Sequence, residues 1–157
     1  MSSYLADTNI LVRIIVPHDP LSPVAKAAIS ELKRQNAPVS VAPQSLVEFW
    51  AVSTRPLEAN GLGLSTERAA EEIDRIQKMF RVLDDPAGTF RHWRLLVQTH
   101  AVRGRQAYDA RLAAVMIELG IECILTFNVD DFRRYPGINA VSPQSLAAPL
   151  TPAVQDE

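Results

Sequence analysis

What this 157-residue chain lacks narrows its chemistry early. It has one cysteine, Cys123, which excludes an internal disulfide and a cysteine-based zinc site. Cys123 lies in the apolar run Ile121 to Phe127 and reads as a small buried side chain. The three histidines, His18, His92 and His100, have no metal-like mutual spacing and are assigned surface or capping positions. No apolar run approaches the ~18 residues of a membrane span. No secretory leader is visible, because polar Asp7-Thr8-Asn9 arrives almost at once. A cytoplasmic, reducing location is therefore expected. Surplus positive charge is also missing, the formal net charge being −2. That disfavours a sequence-reading DNA binder and leaves nucleic-acid contact to a local patch or to phosphate met through bound metal.

What is present is an ordinary globular balance, 47% hydrophobic against 22% charged residues, with no internal repeat. Tyr4 to Ala6 reads as a strand ending at Asp7, and Ile10 to Val16 as a short helix stopped by Pro17. Helical spacing of Val24, Ala27, Ala28 and Leu32 predicts a helix over Pro23 to Gln35. Val39 to Ala42 reads as a second strand, and Pro43 opens a helix to about Thr54. Arg55 to Leu64 reads as a loop, and Ser65 or Thr66 caps a helix through Met79. Phe80 to Leu83 is a third strand, and Asp85-Pro86 is expected to cap and start a helix reaching Val102. Gln106 to Leu119 is a further helix ended by Gly120. Ile121 to Thr126 and Ile138 to Val141 complete five strands. Strands alternating with helices imply an α/β/α sandwich with a central, mostly parallel sheet. Such sheets bind ligands beyond the carboxyl ends of their strands.

Acidic residues fall where that rule wants them. Asp7 follows the first strand, Glu48 lies early in the helix after the second, and Asp130-Asp131 follow the fourth. Asp109 sits in the first turn of the Gln106 helix, on one face with Leu112, Ala113 and Met116, while Arg111 and Glu118 fall opposite. A carboxylate on an apolar stripe needs a partner or a metal, because burying an unpaired charge costs several kcal/mol. Simpler readings stand beside this one. Asp7 can be a helix cap, Asp109 an acid favoured by the helix dipole, Glu48 a partner for Arg55, and Asp130-Asp131 a solvated turn. Asn9 suits a structural role, bonding to loop backbone. Four acidic positions on one rim, without nearby histidine or cysteine, select a hard cation such as Mg²⁺ or Mn²⁺. A carboxylate cage with room for water is what metal-assisted phosphoryl hydrolysis requires.

Four segments together resemble the PIN domain, in particular the VapC-type toxins of bacterial toxin–antitoxin pairs. They are Leu5-Ala6-Asp7-Thr8-Asn9-Ile10, Ser45-Leu46-Val47-Glu48-Phe49, Tyr108-Asp109-Ala110-Arg111-Leu112 and Thr126-Phe127-Asn128-Val129-Asp130-Asp131-Phe132. The resemblance runs from about Tyr4 to Val141 and implies one PIN-like domain over 1–146, while the Pro- and Ala-rich tail over 147–157 reads as flexible from its composition. It implies a metal-dependent endoribonuclease in which Asp7, Glu48, Asp109 and Asp131 surround one or two Mg²⁺ or Mn²⁺ ions. Asp131 takes the fourth role because it directly precedes Phe132, as in the motif. Thr8, Asn9, Thr126 and Asn128 would orient those groups or the substrate. Phe127 departs from relatives that carry a polar or basic residue there. The resemblance further implies a homodimer and a cognate antitoxin whose tail occupies the acidic groove.

Arginines that could meet RNA phosphate cluster at Arg91, Arg94, Arg103 and Arg105, and again at Arg133-Arg134. Trp50 and Trp93 lie in apolar helical stripes and suit a core or an interface better than base stacking. Two other functions remain open at this point. A haloacid-dehalogenase-like phosphatase also begins with an Asp after its first strand, but needs a second Asp where this chain has Asn9. A non-catalytic metal- or RNA-binding module would use the same acidic rim without chemistry.

Overall fold

The computed structural model describes residues 2–147. The tail expected over 147–157 therefore lies, from Ala148 onward, outside the described residues. Five short strands form one sheet in the order β3-β2-β1-β4-β5: β1 Tyr4–Ala6, β2 Val39–Val41, β3 Arg81–Val82, β4 Cys123–Leu125 and β5 Asn139–Val141. All four pairings are parallel, with Leu5 opposite Ser40 of β2 on one side and Ile124 of β4 on the other.

Alternation along the strands divides the core in two. Ala6, Val41 and Leu125 point into one cluster, with Ile10, Leu11, Phe49 and Ile76. Leu5 and Ile124 point into the other, with Leu96, Leu112 and Met116. The first cluster packs beneath α1 Thr8–Ile15, α2 Ser22–Arg34, α3 Pro43–Thr54 and α4 Thr66–Met79. The second packs beneath α5 Thr89–Thr99 and α6 Gln106–Leu119. A last short helix, α7 Pro143–Leu146, lies against α2. The result is the three-layer sandwich expected, with a fully parallel sheet.

Local signals explain most boundaries. Ser65 caps α4 by accepting from the Arg68 N–H at 3.1 Å. Gly120 ends α6 in the left-handed region at φ 67°, where a side chain would be strained. Cys123 is buried in β4 as a small core residue.

Four expectations need correction. The first helix starts at Thr8, not at Asn9 or Ile10, because Asp7 itself takes the N-cap position. Asp85-Pro86 neither caps nor begins α5. That helix starts at Thr89, whose hydroxyl donates to the Pro86 carbonyl at 2.8 Å, while Asp85 turns toward Arg111 at 3.4 Å. Its first turn abuts α6 so closely that a Cβ on Gly88 would lie 1.5 Å from Glu118 Oε1. The same helix stops at Thr99 and not Val102, since Ala101 adopts φ 49° and breaks the helical path. Finally, α6 is buried on nearly every side, from Ala110 through Met116 apart from half-exposed Arg111, so its apolar stripe is wider than the sequence pattern indicated.

Candidate active site

The chain runs outward from β1 to β2 and β3, then crosses back to place β4 on the other side of β1. A topological switch point therefore lies between β1 and β4, the place where open parallel sheets leave a crevice. Asp7 directly follows β1 and Thr126 directly follows β4. The Thr126 hydroxyl donates to Asp7 Oδ2 at 2.8 Å, and both residues are buried. Asp7 Oδ1 accepts the Thr8 N–H at 2.8 Å, so the cap role and the site role fall on one side chain.

Other elements bring the remaining acids to the same edge. The Thr8 hydroxyl donates to Glu48 Oε2 at 2.5 Å, tying α1 to α3. The Glu48–Arg55 ion pair considered for the sequence does not form: no ion pair reaches Glu48, Asp7, Asp109 or Asp131 among the described residues. Asp109 reaches the carboxyl edge because α6 leads into β4 and so runs opposite to the strands. Its N-terminal turn then stands above them.

Asp7, Thr8, Asn9, Asp109 and Asn128 line one cleft of about 410 Å³, with Asn60 and Leu62 across from them. Glu48 and Asp131 stand beside it and act on it electrically. Burial raises the Asp7 carboxyl to about 6, against the hydrogen bonds from Thr126 and Thr8, with the charges of Glu48 and Asp131 adding to the rise. Burial likewise lifts Asp109 to about 7, reinforced by Asp7, Asp131 and Glu48 and opposed by Arg134. Asp131 is thus electrically part of the group. Its neighbour Asp130 is exposed and pairs with Arg133 at 2.6 Å.

The oxygen-only donors suit a hard divalent cation. Their spacing is open: among the described residues, no three acidic, histidine or cysteine side chains converge as a ready-made metal group. A larger groove of about 570 Å³ runs between α1, α2 and α4, but its one acid, Glu72, is already paired with Arg68 and Arg75.

Asn9 behaves as the structural residue expected. Its Oδ1 accepts the Phe127 N–H at 3.2 Å and its Nδ2 donates to Thr126 Oγ1 at 3.2 Å. Asn128 contributes its backbone N–H to Thr126 Oγ1 at 3.0 Å and also lines the cleft. Phe127 packs against the first core cluster, so its departure from a polar residue serves packing. Trp93 donates from Nε1 to the Ala107 carbonyl at 2.8 Å, a structural use, and Trp50 sits at the surface of α3.

Three residues take roles that the sequence reading did not assign to them. Arg134, bonded to Gln106 Oε1 at 2.6 Å, is the cation that offsets the rise at Asp109. Gln44 bridges Glu48 to the backbone of Tyr108. Arg111, placed opposite Asp109 by helical spacing, is no free solvated group and reaches Gln44 at 3.0 Å. Only long-range packing defines these roles. The proximity of Gln44 to Glu48 at i,i+4 was the one local signal available.

The chain is thus a parallel α/β sandwich with acids outside any ion pair at its switch point. The family model of the PIN domain matches residues 4–138, and the chain belongs to that family. By sequence, no curated protein matches. Among solved structures, VapBC2 from Rickettsia felis, bound to a promoter DNA fragment, matches with TM-score 0.66 and 19% identity. That match covers 89% of this chain and 98% of the other. DNA-bound VapBC from Salmonella typhimurium gives TM-score 0.66 and 18% identity over 91% and 99%. VapC20 of Mycobacterium tuberculosis, a toxin that cleaves the sarcin-ricin loop, gives 0.60 and 22% over 82% and 92%. At these identities the likeness is one of fold.

Proposed function

We propose that this chain is a metal-dependent endoribonuclease and the toxin of a VapBC-type toxin–antitoxin pair. One observation carries the reading. Asp7 and Asp109 line one cleft, Glu48 and Asp131 act on both through their charge, and among the described residues none of the four is spent on an ion pair. Packing like charges together outside any ion pair, with Arg134 alone opposing the rise at Asp109, is costly, and a bound cation would relieve it.

Asp7, Glu48, Asp109 and Asp131 would hold Mg²⁺ or Mn²⁺, which when bound neutralises phosphate charge and lowers the pKa of water for attack. The chain's own residues do the rest. Thr126 and Thr8 fix the Asp7 carboxylate by hydrogen bonds to its two oxygens, and Thr8 also fixes Glu48. Asn9 and Asn128 hold the strand end that carries Thr126. The raised proton affinity of Asp7 and Asp109 in the metal-free chain means that protons compete with a cation for these oxygens. Attack by water predicts 5′-phosphate and 3′-hydroxyl ends.

A cognate antitoxin belongs to the same reading. An Arg- or Lys-bearing segment complements the acidic cleft and competes with RNA there. A homodimer also belongs to it, supported by exposed apolar Val47 and Trp50 on α3 and Phe90 and Leu95 on α5. No helix among the described residues is long and apolar enough to cross a membrane, and cytoplasmic RNA is the substrate pool proposed.

Purified protein incubated with a mixed RNA pool and Mn²⁺ tests the function, with EDTA and Asp7→Asn as controls. Cleavage that both controls abolish is expected. Full cleavage in EDTA, or by a folded Asp7→Asn protein, overturns the metal mechanism, and no cleavage of any RNA overturns the nuclease reading.

A further inference from the structure

The amide of Gln44 is engaged at both its nitrogen and its oxygen, and one of its partners, Glu48, is an acid of the site. Gln44 lies in the first turn of α3, one turn before Glu48. Its Nε2 donates to Glu48 Oε1 at 2.9 Å and to the Tyr108 carbonyl at 2.8 Å. Tyr108 is the residue before Asp109 on α6. Gln44 Oε1 accepts from Arg111 Nη1 at 3.0 Å, and Arg111 Nη2 donates to Asp85 Oδ2 at 3.4 Å. The amide cannot be flipped: its NH₂ faces two acceptors and its oxygen faces a guanidinium.

Glu48 therefore has each carboxylate oxygen held by a different side chain, Oε2 by Thr8 and Oε1 by Gln44. The two acids that Gln44 links, Glu48 and Asp109, repel one another, and Glu48 contributes to the raised Asp109 carboxyl. Helices α3 and α6 come from opposite faces of the sheet, so the Gln44–Tyr108 bond is a tie across the mouth of the site.

We infer that Gln44, its amide locked by Arg111 and Asp85, is the positioning residue that holds Glu48 at a set distance from the helix carrying Asp109. This rests on the reading of Glu48 and Asp109 as cation-binding acids. Gln44 touches neither substrate nor cation. It acts through Glu48, as groups behind the ligands orient the ligands themselves.

Mn²⁺ affinity of the purified protein, measured by titration, decides the matter alongside kcat for RNA. Gln44→Met keeps the length and loses every hydrogen bond. It is expected to weaken Mn²⁺ binding and lower kcat about 10- to 100-fold, with little change in KM. In a Glu48→Ala background, the same substitution is expected to add nothing. Should Gln44→Met fold poorly by circular dichroism, Arg111→Met frees the amide from one side and is expected to give a smaller loss in the same direction. Unchanged Mn²⁺ affinity in Gln44→Met, or equal losses with and without Glu48, overturns the positioning role. A wild-type protein that binds no Mn²⁺ overturns the site reading beneath it, and is distinguished by failing before any variant is made.

Discussion

The Thr126 hydroxyl meets Asp7 Oδ2 at 2.8 Å, closing a contact between residues 119 apart at the ends of adjacent strands. It makes Asp7 a carboxylate held by the fold, buried yet without a cation beside it. The consequences of that burial can be measured.

Asp7→Asn should fold, and at pH 7.5 it should be more stable than the wild type. Asparagine caps helices as well as aspartate does, and its Oδ1 can accept the Thr8 N–H as Asp7 Oδ1 does. The charge, not the shape, is what burial opposes. With the carboxyl raised from 3.8 to about 6, the gain is on the order of 3 kcal/mol at about 1.36 kcal/mol per unit. A higher melting temperature with lost RNA cleavage is expected. A lower melting temperature contradicts the burial argument.

That gain should depend on pH. A folded-state pKa above the unfolded one means that the folded protein binds the proton more tightly. Stability due to Asp7 therefore falls as pH rises from about 4 through 6, and that due to Asp109 falls onward through about 7. The melting-temperature difference between Asp7→Asn and wild type should widen from pH 4.5 to 7.5 in EDTA. Added Mn²⁺ should raise the wild-type curve more at pH 7.5 than at pH 5.5, because protons compete for the same oxygens. A difference that stays flat with pH argues against a raised Asp7.

The adjacent acids should separate cleanly. Asp131 acts on Asp7 and Asp109, whereas Asp130 is exposed and faces Arg133. Asp131→Asn should lower cleavage at least tenfold, and Asp130→Asn should leave it within about twofold, surface ion pairs contributing little. The reverse order in a cleavage assay would move the fourth acid by one residue.

Glu72 offers a control far from the cleft chemistry. It is buried on α4 and bonded by Arg68 at 2.8 Å and Arg75 at 3.2 Å. Glu72→Gln keeps the volume and weakens both bonds, with an expected loss of about 1–2 kcal/mol by urea unfolding and unchanged cleavage per folded molecule. A selective loss of cleavage would tie the α1–α2–α4 groove to function.

Elements with a strong local pattern were legible in the chain. The Ser65 cap and the Gly120 stop act within a turn or two and the structure follows them, while of the spacing Val24, Ala27, Ala28 and Leu32 the helix forms and buries Ala28 and Leu32 but leaves Ala27 exposed. Asp85-Pro86 carries an equally good local signal and fails, because Arg111 draws Asp85 away and Gly88 must pack on Glu118. The acids at Asp7, Glu48 and Asp109 could be found because each follows a strand or opens a helix. Arg134, Arg111 and the tie through Gln44 could not, since their partners lie on elements distant in sequence. The width of the apolar surface on α6 was hidden for a related reason: two layers cover it.

The central position of β1 has a consequence for how the molecule is made. Its neighbour β2 follows within a few dozen residues, but β4 emerges only after every other helix-bearing segment up to Leu119. Without β4, the Tyr4–Ala6 backbone has unpaired N–H and C=O groups along one edge, and Asp7 has no Thr126. The crevice beyond β1 is therefore completed by a long-range pairing, in which a strand more than a hundred residues away in sequence docks beside Tyr4–Ala6.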